Sequence, residues 1–244
     1  MKINKTVYLT AILLASAVCL CSCKAGADNT NVAEEPAQTE EAATDPGEEE
    51  TGSSQTSGTM PEEATDEFLA SVAKDSAPDI DISGCDTFTQ IVDKKLADGM
   101  GYANEQISGE DVLIVCSQTY DNLDGNMAGI DATVFMYKDE APFEVGKVCC
   151  GGTAYPLAIK DGVLYTGSNH WVCKYAIEDD KLVITEKGAM DFDEDGNEVY
   201  YYERSDGSKA SYATKEAGDK FSSLFDEMFS GTIVNFSTVG GRRP

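Results

Sequence analysis

Three aspartates spaced two apart, Asp191, Asp193 and Asp195, stand in "DFDEDGNEVYYYER" immediately before Gly196 and Asn197. Oxygen ligands at positions 1, 3 and 5, a glycine at 6 and a backbone carbonyl at 7 are how an EF-hand loop begins to wrap calcium. Asp191, Asp193, Asp195 and Asn197 are therefore the candidate calcium ligands. The twelfth position argues the other way, because it holds Tyr202 where a bidentate glutamate is needed, and Glu203 comes one residue late. The flanks alternate like strands, and "EDGN" between alternating runs is a hairpin signal, since Asp-Gly supplies the positive φ of a tight turn. The residues favour a hairpin with solvated aspartates and no cofactor, with a calcium-stabilised module as an alternative.

The tyrosines that follow bear on binding. On a strand, Tyr200 and Tyr202 share one face and Tyr201 takes the other. Tyr200 and Tyr202, with Trp171, form a candidate binding surface, because exposed aromatic shelves hold sugars and peptides. A helix packed over the same rings is the competing use.

Other chemistry is thinly represented. His170 is the sole histidine, in "TGSNHW". It could act as a base toward Ser168, but a triad also needs an orienting acid, and no G-x-S-x-G pattern supports one. A structural turn is the better account. Cys85, Cys116, Cys149, Cys150 and Cys173 show no CxxC spacing and lie mostly in apolar strand-like runs, where a thiol serves as a small hydrophobe. "CCGGTAY" lacks the lysine and the helix of a phosphate loop. Acids are plentiful enough that a pair acting as in a glycosidase is an alternative, and no catalytic residue is singled out.

The elements that must position these residues begin with two helices, in "PEEATDEFLASVAKD", opened by Pro61, and "DTFTQIVDKKLADGMG", capped by Asp86 and ended by Gly99. The period then changes to two, and about ten strands follow from "GYANEQI" to "EVYYYER", joined by short turns that impose antiparallel pairing as a meander. A last helix fits "TKEAGDKFSSLFDEMFSG", with Thr214 as cap and Gly231 as stop. The expected class is α+β: an antiparallel β meander, as a curved sheet or open barrel, with amphipathic helices packed on one face. Residues 61–244 are long enough for one such domain with its own core.

The start of the chain addresses location. Lys2 and Lys5 precede the apolar run "VYLTAILLASAVCL", which has the length and polarity of an export signal. It ends in "LCSC", which resembles the lipobox of bacterial lipoproteins, with Leu20, two small residues and Cys23. That resemblance covers the first two dozen residues. It implies a signal peptide over residues 1–22, cleavage before Cys23, and a diacylglycerol on the Cys23 thiol that anchors the protein to the outer face of the cell membrane. Two acyl chains, at about 0.8 kcal/mol per buried CH₂, make a stable anchor.

Residues 23–60 hold one valine as their only large aliphatic residue and many Glu, Ala, Thr and Gly. Such a segment is expected to be a disordered acidic tether, because it cannot bury enough surface to offset its ordering entropy. The formal net charge is −26, and beyond Glu67 the chain still carries 31 acidic against 15 basic residues. That sign argues against nucleic acid as a partner. Beyond the lipobox the chain is similar in style to acid-tethered lipoproteins of anaerobic Gram-positive bacteria, a resemblance that implies no catalytic residue. The expected function is that of a cell-surface lipoprotein whose tethered domain binds an envelope glycan, a peptide or another envelope protein, with an extracellular hydrolase using paired carboxylates as the alternative.

Overall fold

The computed structural model describes residues 59–210 and 214–241. The expected signal, Cys23 and nearly all of the expected tether lie outside the described residues. Met60 already packs against the core.

A 3-10 turn (Glu62–Ala64) leads into helix α1 (Asp66–Ser76). Thr65, four residues after Pro61, caps the helix: its hydroxyl accepts from the Phe68 N–H at 3.2 Å. Helix α2 (Phe88–Lys95) is capped by Thr87, whose Oγ1 accepts from the Gln90 N–H at 3.2 Å. Asp86, the expected cap, sits one residue outside and donates its N–H to Gln90 Oε1 at 3.0 Å. Helix α2 also stops at Leu96, whose backbone is already extended, short of Gly99.

Two meanders follow. The first comprises β1 (Gly101–Ile107), β2 (Glu110–Cys116), a small ribbon of β3 (Tyr120–Asp121) and β4 (Met127–Ala128), then β5 (Asp131–Lys138) and β6 (Ala141–Cys149). The second runs through β7 (Ala158–Lys160), β8 (Val163–Gly167), β9 (Trp171–Glu178), β10 (Lys181–Phe192), β11 (Glu198–Arg204) and β12 (Lys209–Ala210). Four hairpins close on two residues that are both at positive φ: Ser108-Gly109, Asp139-Glu140, Asp161-Gly162 and Asp179-Asp180. Such turns match the right-handed twist of the strands, and aspartate tolerates the left-handed region better than most side chains. "KLVITEK" and "AMDFD" form one continuous strand, β10, irregular only between Ile184 and Glu186 against β9.

Helix α3 (Lys215–Phe229) carries the expected cap, with the Ala217 N–H donating to Thr214 Oγ1 at 3.3 Å. The chain then adds β13 (Thr232–Ile233) to β7 and β14 (Ser237–Thr238) to β1. This last segment ties the two sheets together and drops Val234 and Phe236 into the core between them.

The class is α+β with antiparallel sheets, none closed into a barrel. One curved sheet with helices on a single face gives way to two stacked sheets, in order β14-β1-β2-β5-β6 and β12-β11-β10-β9-β8-β7-β13, with a helix outside each. Strand β2 shows why. Val112, Ile114 and Cys116 join the core between the sheets, whereas Leu113 and Val115 meet Ile91 of α2 on the outer face. Strand β9 does the same, with Cys173 and Tyr175 inside and Val172 under Leu224 and Met228 of α3. A strand covered on both sides must be apolar at successive positions, so both faces need a layer. Helix α1 covers β6, the outer edge of the first sheet, and sends Leu69 into the inter-sheet core.

Candidate functional site

The Asp191–Asn197 segment is the β10–β11 hairpin loop. Asp193 closes it: Oδ1 accepts from the N–H groups of Asp195 at 3.0 Å and Asn197 at 2.8 Å, and Oδ2 accepts from Asn197 Nδ2 at 3.0 Å. These bonds, the Asn197 side chain first, hold the Asp193 carboxyl below its usual range. Gly196 takes φ 81°, the conformation expected for the turn. Asp191 still belongs to β10 and accepts from the Phe192 N–H at 2.8 Å. The carboxylates of Asp191, Asp193 and Asp195 do not converge, and no group of three or more His, Cys, Asp or Glu that could hold a metal ion occurs among the described residues.

The aromatic candidates are covered. Tyr202 is 5% exposed and Trp171 6%, so neither forms an open shelf, and Trp171 only borders a small cavity of about 330 Å³ with Glu62, Glu63 and His170. Tyr202 packs in the cluster beneath α3, and Tyr200 is half-buried with its ring 5.3 Å from that of Phe221 on the helix. Trp171 and Tyr201 face the inter-sheet core. The "YYY" run is thus a strand packed on both sides. His170 lies in the β8–β9 turn, where Ser168 Oγ accepts from the His170 N–H at 3.0 Å and the Trp171 N–H at 3.2 Å. Ser168 is buried and shapes the turn. All five cysteines of the domain are free and, Cys149 apart, buried. Burial pushes the thiols of Cys116 and Cys173 up to about 12, so they stay protonated and inert.

Two partly buried acids do converge under α3. Glu186 and Glu227 share the Lys174 ammonium, at 3.3 and 2.9 Å. Tyr202 donates to Glu186 Oε2 at 2.6 Å and Tyr165 to Glu227 Oε2 at 2.8 Å. Burial alone would raise the Glu227 carboxyl, but the bonds from Lys174 and Tyr165 outweigh it and hold it below its usual range. Every member has a partner, so the group pins α3 to the sheet.

A cleft of about 830 Å³ lies at the other sheet, beside β1. Asn104, Glu105 and Gln106 of β1, Asp111 of β2 and Asp161 of the β7–β8 turn line it, with Phe88 and Ile159 as apolar walls. Its end is fixed where the two sheets' turns meet: the Ser108 N–H donates to the Gly162 carbonyl at 2.8 Å, and Ser108 Oγ accepts from the Ile177 N–H at 2.9 Å. Gln106 Nε2 donates to Asp111 Oδ1 at 3.0 Å. Glu105 differs from every other acid described so far. It lies between Ala103 and Ile107, which enter the inter-sheet core, so its side chain points to the same layer. Burial raises its carboxyl above the usual range, and no lysine, arginine or hydroxyl among the described residues answers it. A charge at the inward position of an alternating strand, "AxExI", was the available signal, and sequence reasoning missed it.

A second surface feature is a row of rings along α3. Phe221 meets Phe225 edge-on at 4.9 Å, Phe225 stacks on Phe229 at 5.8 Å, each one helical turn apart, and Tyr155 meets Phe225 and Phe229 at 6.1 Å. Phe229 is 62% exposed at its end, beside a smaller cavity of about 280 Å³ lined by Thr153, Pro156 and Ile233. No helix among the described residues is long and apolar enough to cross a membrane. The chain matches no protein-family model, no curated protein and no solved structure.

Proposed function

We propose that this chain is a cell-surface lipoprotein, held through Cys23 to the outer face of the cell membrane, whose folded domain acts by binding a component of the envelope. The anchor rests on the lipobox resemblance at Leu20–Cys23. The binding role rests on the β1 cleft. Its volume falls within the range of ligand sites, and it is walled by strand edge, carboxylates and two apolar side chains. No serine, cysteine, histidine or lysine lines it, so the groups there that could do chemistry are the carboxylates of Glu105, Asp111 and Asp161. An acidic wall suits a ligand that brings positive charge or many hydroxyl donors.

Two experiments test the two halves. Incorporation of labelled palmitate into the expressed chain should be lost in Cys23→Ser; unchanged labelling would remove the anchor. Thermal melting of the full chain against a panel of envelope glycans and peptides should show a shift of several degrees with one class. No shift with any member would defeat the binding role.

One observation favours a second reading, hydrolysis by paired carboxylates. The raised Glu105 carboxyl is what a general acid needs, and Asp111 and Asp161 line the same cleft. Product release from the glycan panel, abolished in Glu105→Gln, would establish it.

A further inference from the structure

The open edge of β1 deepens the binding reading and rests on it. Asn104 and Gln106 hold the relevant backbone groups. The Ser108-Gly109 turn has two residues, so Ile107 and Glu110 form the hydrogen-bonded pair that closes it, and alternation makes Glu105–Val112 and Ala103–Ile114 the next such pairs. Asn104 and Gln106 therefore turn their N–H and C=O groups away from β2. On that outer side β14 pairs only with Gly101 and Tyr102. No backbone hydrogen bond reaches Asn104 or Gln106 from any described residue there. Two donors and two acceptors face the 830 Å³ cleft beside β1.

An unpaired strand edge is a template for another strand, and folded proteins ordinarily blunt it. Here the opposite edge, β6, is covered by α1, and the far edge of the second sheet ends in the two-residue β12. Among the described residues nothing covers the β1 edge over Asn104–Gln106, and that stretch has neither proline nor bulge. What it has is Glu105, an unanswered carboxylate facing inward at the rim. An antiparallel second copy would bring another Glu105 beside it, with Asp111 and Asp161 near, so self-pairing meets like charge. A strand with positive side chains would meet a complementary wall.

We infer that the β1 edge captures an extended, cationic peptide segment of a partner protein by strand addition, with Asn104 and Gln106 supplying the main-chain hydrogen bonds and Glu105, Asp111 and Asp161 the charge preference. The flanking apolar walls, Phe88 and Ile159, take alternate side chains of the guest, as in other strand-addition sites.

The test uses the full chain and a fluorescein-labelled octapeptide, Lys-Val-Lys-Thr-Lys-Val-Lys-Thr, read by anisotropy and by amide exchange. Binding should protect the Asn104 and Gln106 amides. The same peptide N-methylated at every residue keeps its charge and loses its donors, and it should bind about tenfold more weakly. Asn104→Pro removes an outward N–H without touching the β2 ladder, and Glu105→Lys reverses the wall; each should cost about tenfold as well. Should Asn104→Pro fail to fold by circular dichroism, Glu105→Lys and the exchange pattern decide. Equal affinity for the N-methylated peptide, or protection elsewhere in the domain, overturns strand addition. Binding that survives both variants moves the site off this edge and leaves the binding role standing, whereas no response to this peptide or to the glycan and peptide panel defeats both. A concentration-dependent dimer that protects Asn104 and Gln106 would instead make the guest a second copy and overturn the cationic partner.

Discussion

Carboxylates meet two different fates on the two sheets. Beneath α3, Glu186 and Glu227 are partly buried, yet each accepts from a tyrosine and both face Lys174. At the β1 edge, Glu105 is partly buried and has no such donor among the described residues. The first arrangement recovers the desolvation cost of its charges internally, so it serves as attachment between helix and sheet. The second leaves that cost unrecovered in the folded chain, which is the condition under which an incoming cation gains most. Partnership, more than burial or charge, separates a structural acid from one available to a ligand.

The comparison can be broken most severely at Lys174. Lys174→Met strands two carboxylates under α3 and should cost about 2 kcal/mol, below the range for fully buried pairs because Glu227 keeps some solvent. Urea denaturation checks it, and adding Glu186→Gln and Glu227→Gln to the same chain should restore most of the loss. Truncating the apolar anchor beside the network, Leu224→Ala, is of similar size, about 2–3 kcal/mol, since Leu224 is fully covered between α3 and the sheet.

Acid sharpens the contrast, because the two sites respond with opposite signs. Glu227 is held below the ordinary carboxylate value, so its contribution is present above its unfolded pKa of about 4.3 and is lost as pH falls through the lower folded value. Glu105 is raised, so its ionisation penalty is absent at low pH and grows as pH climbs from the unfolded value through the folded one. Glu105→Gln should therefore raise the melting temperature at pH 7 by about a degree and have no effect near pH 3. A lower melting temperature in this variant at pH 7 would reveal a partner for Glu105 and undo the comparison.

The smallest effect belongs to the Asp193 loop. Its carboxylate already serves the loop's own amides. Melting with calcium and with chelator should agree within about a degree, and Asp193→Ala should lower the melting temperature slightly whether or not calcium is present. A calcium shift of several degrees that disappears in Asp193→Ala would return the loop to metal binding.

Much of the fold was legible. Thr214 and the stripe of Phe221, Leu224, Phe225 and Met228 mark α3, and the alternating runs with Asp-Gly turns mark most strands of both meanders. The extra layer was also written, in "VLIVC" of β2 and "ATVFM" of β5, since unbroken apolar runs of strand length indicate cover on both faces. It was missed because three short helices suggested one covered face. Strands β3, β4, β12, β13 and β14 each have two residues and left no period to read.

The sequence by itself determined several local outcomes: that Thr214 caps α3, that Gly196 turns at positive φ, that DEDGN is a hairpin and that the cysteines behave as hydrophobes. These follow from interactions within a few residues or from average burial. Only the tertiary structure decided that Tyr202 and Trp171 are covered and Tyr200 half-covered, that Glu186 and Glu227 meet Lys174, and that β14 stops short of Asn104–Gln106. Each of those depends on segments brought together from distant parts of the chain, as Glu227 of α3 meets Lys174 of β9 and Ser237 of β14 meets Tyr102 of β1. Spacing along the sequence carries no record of which of these a neighbour covers.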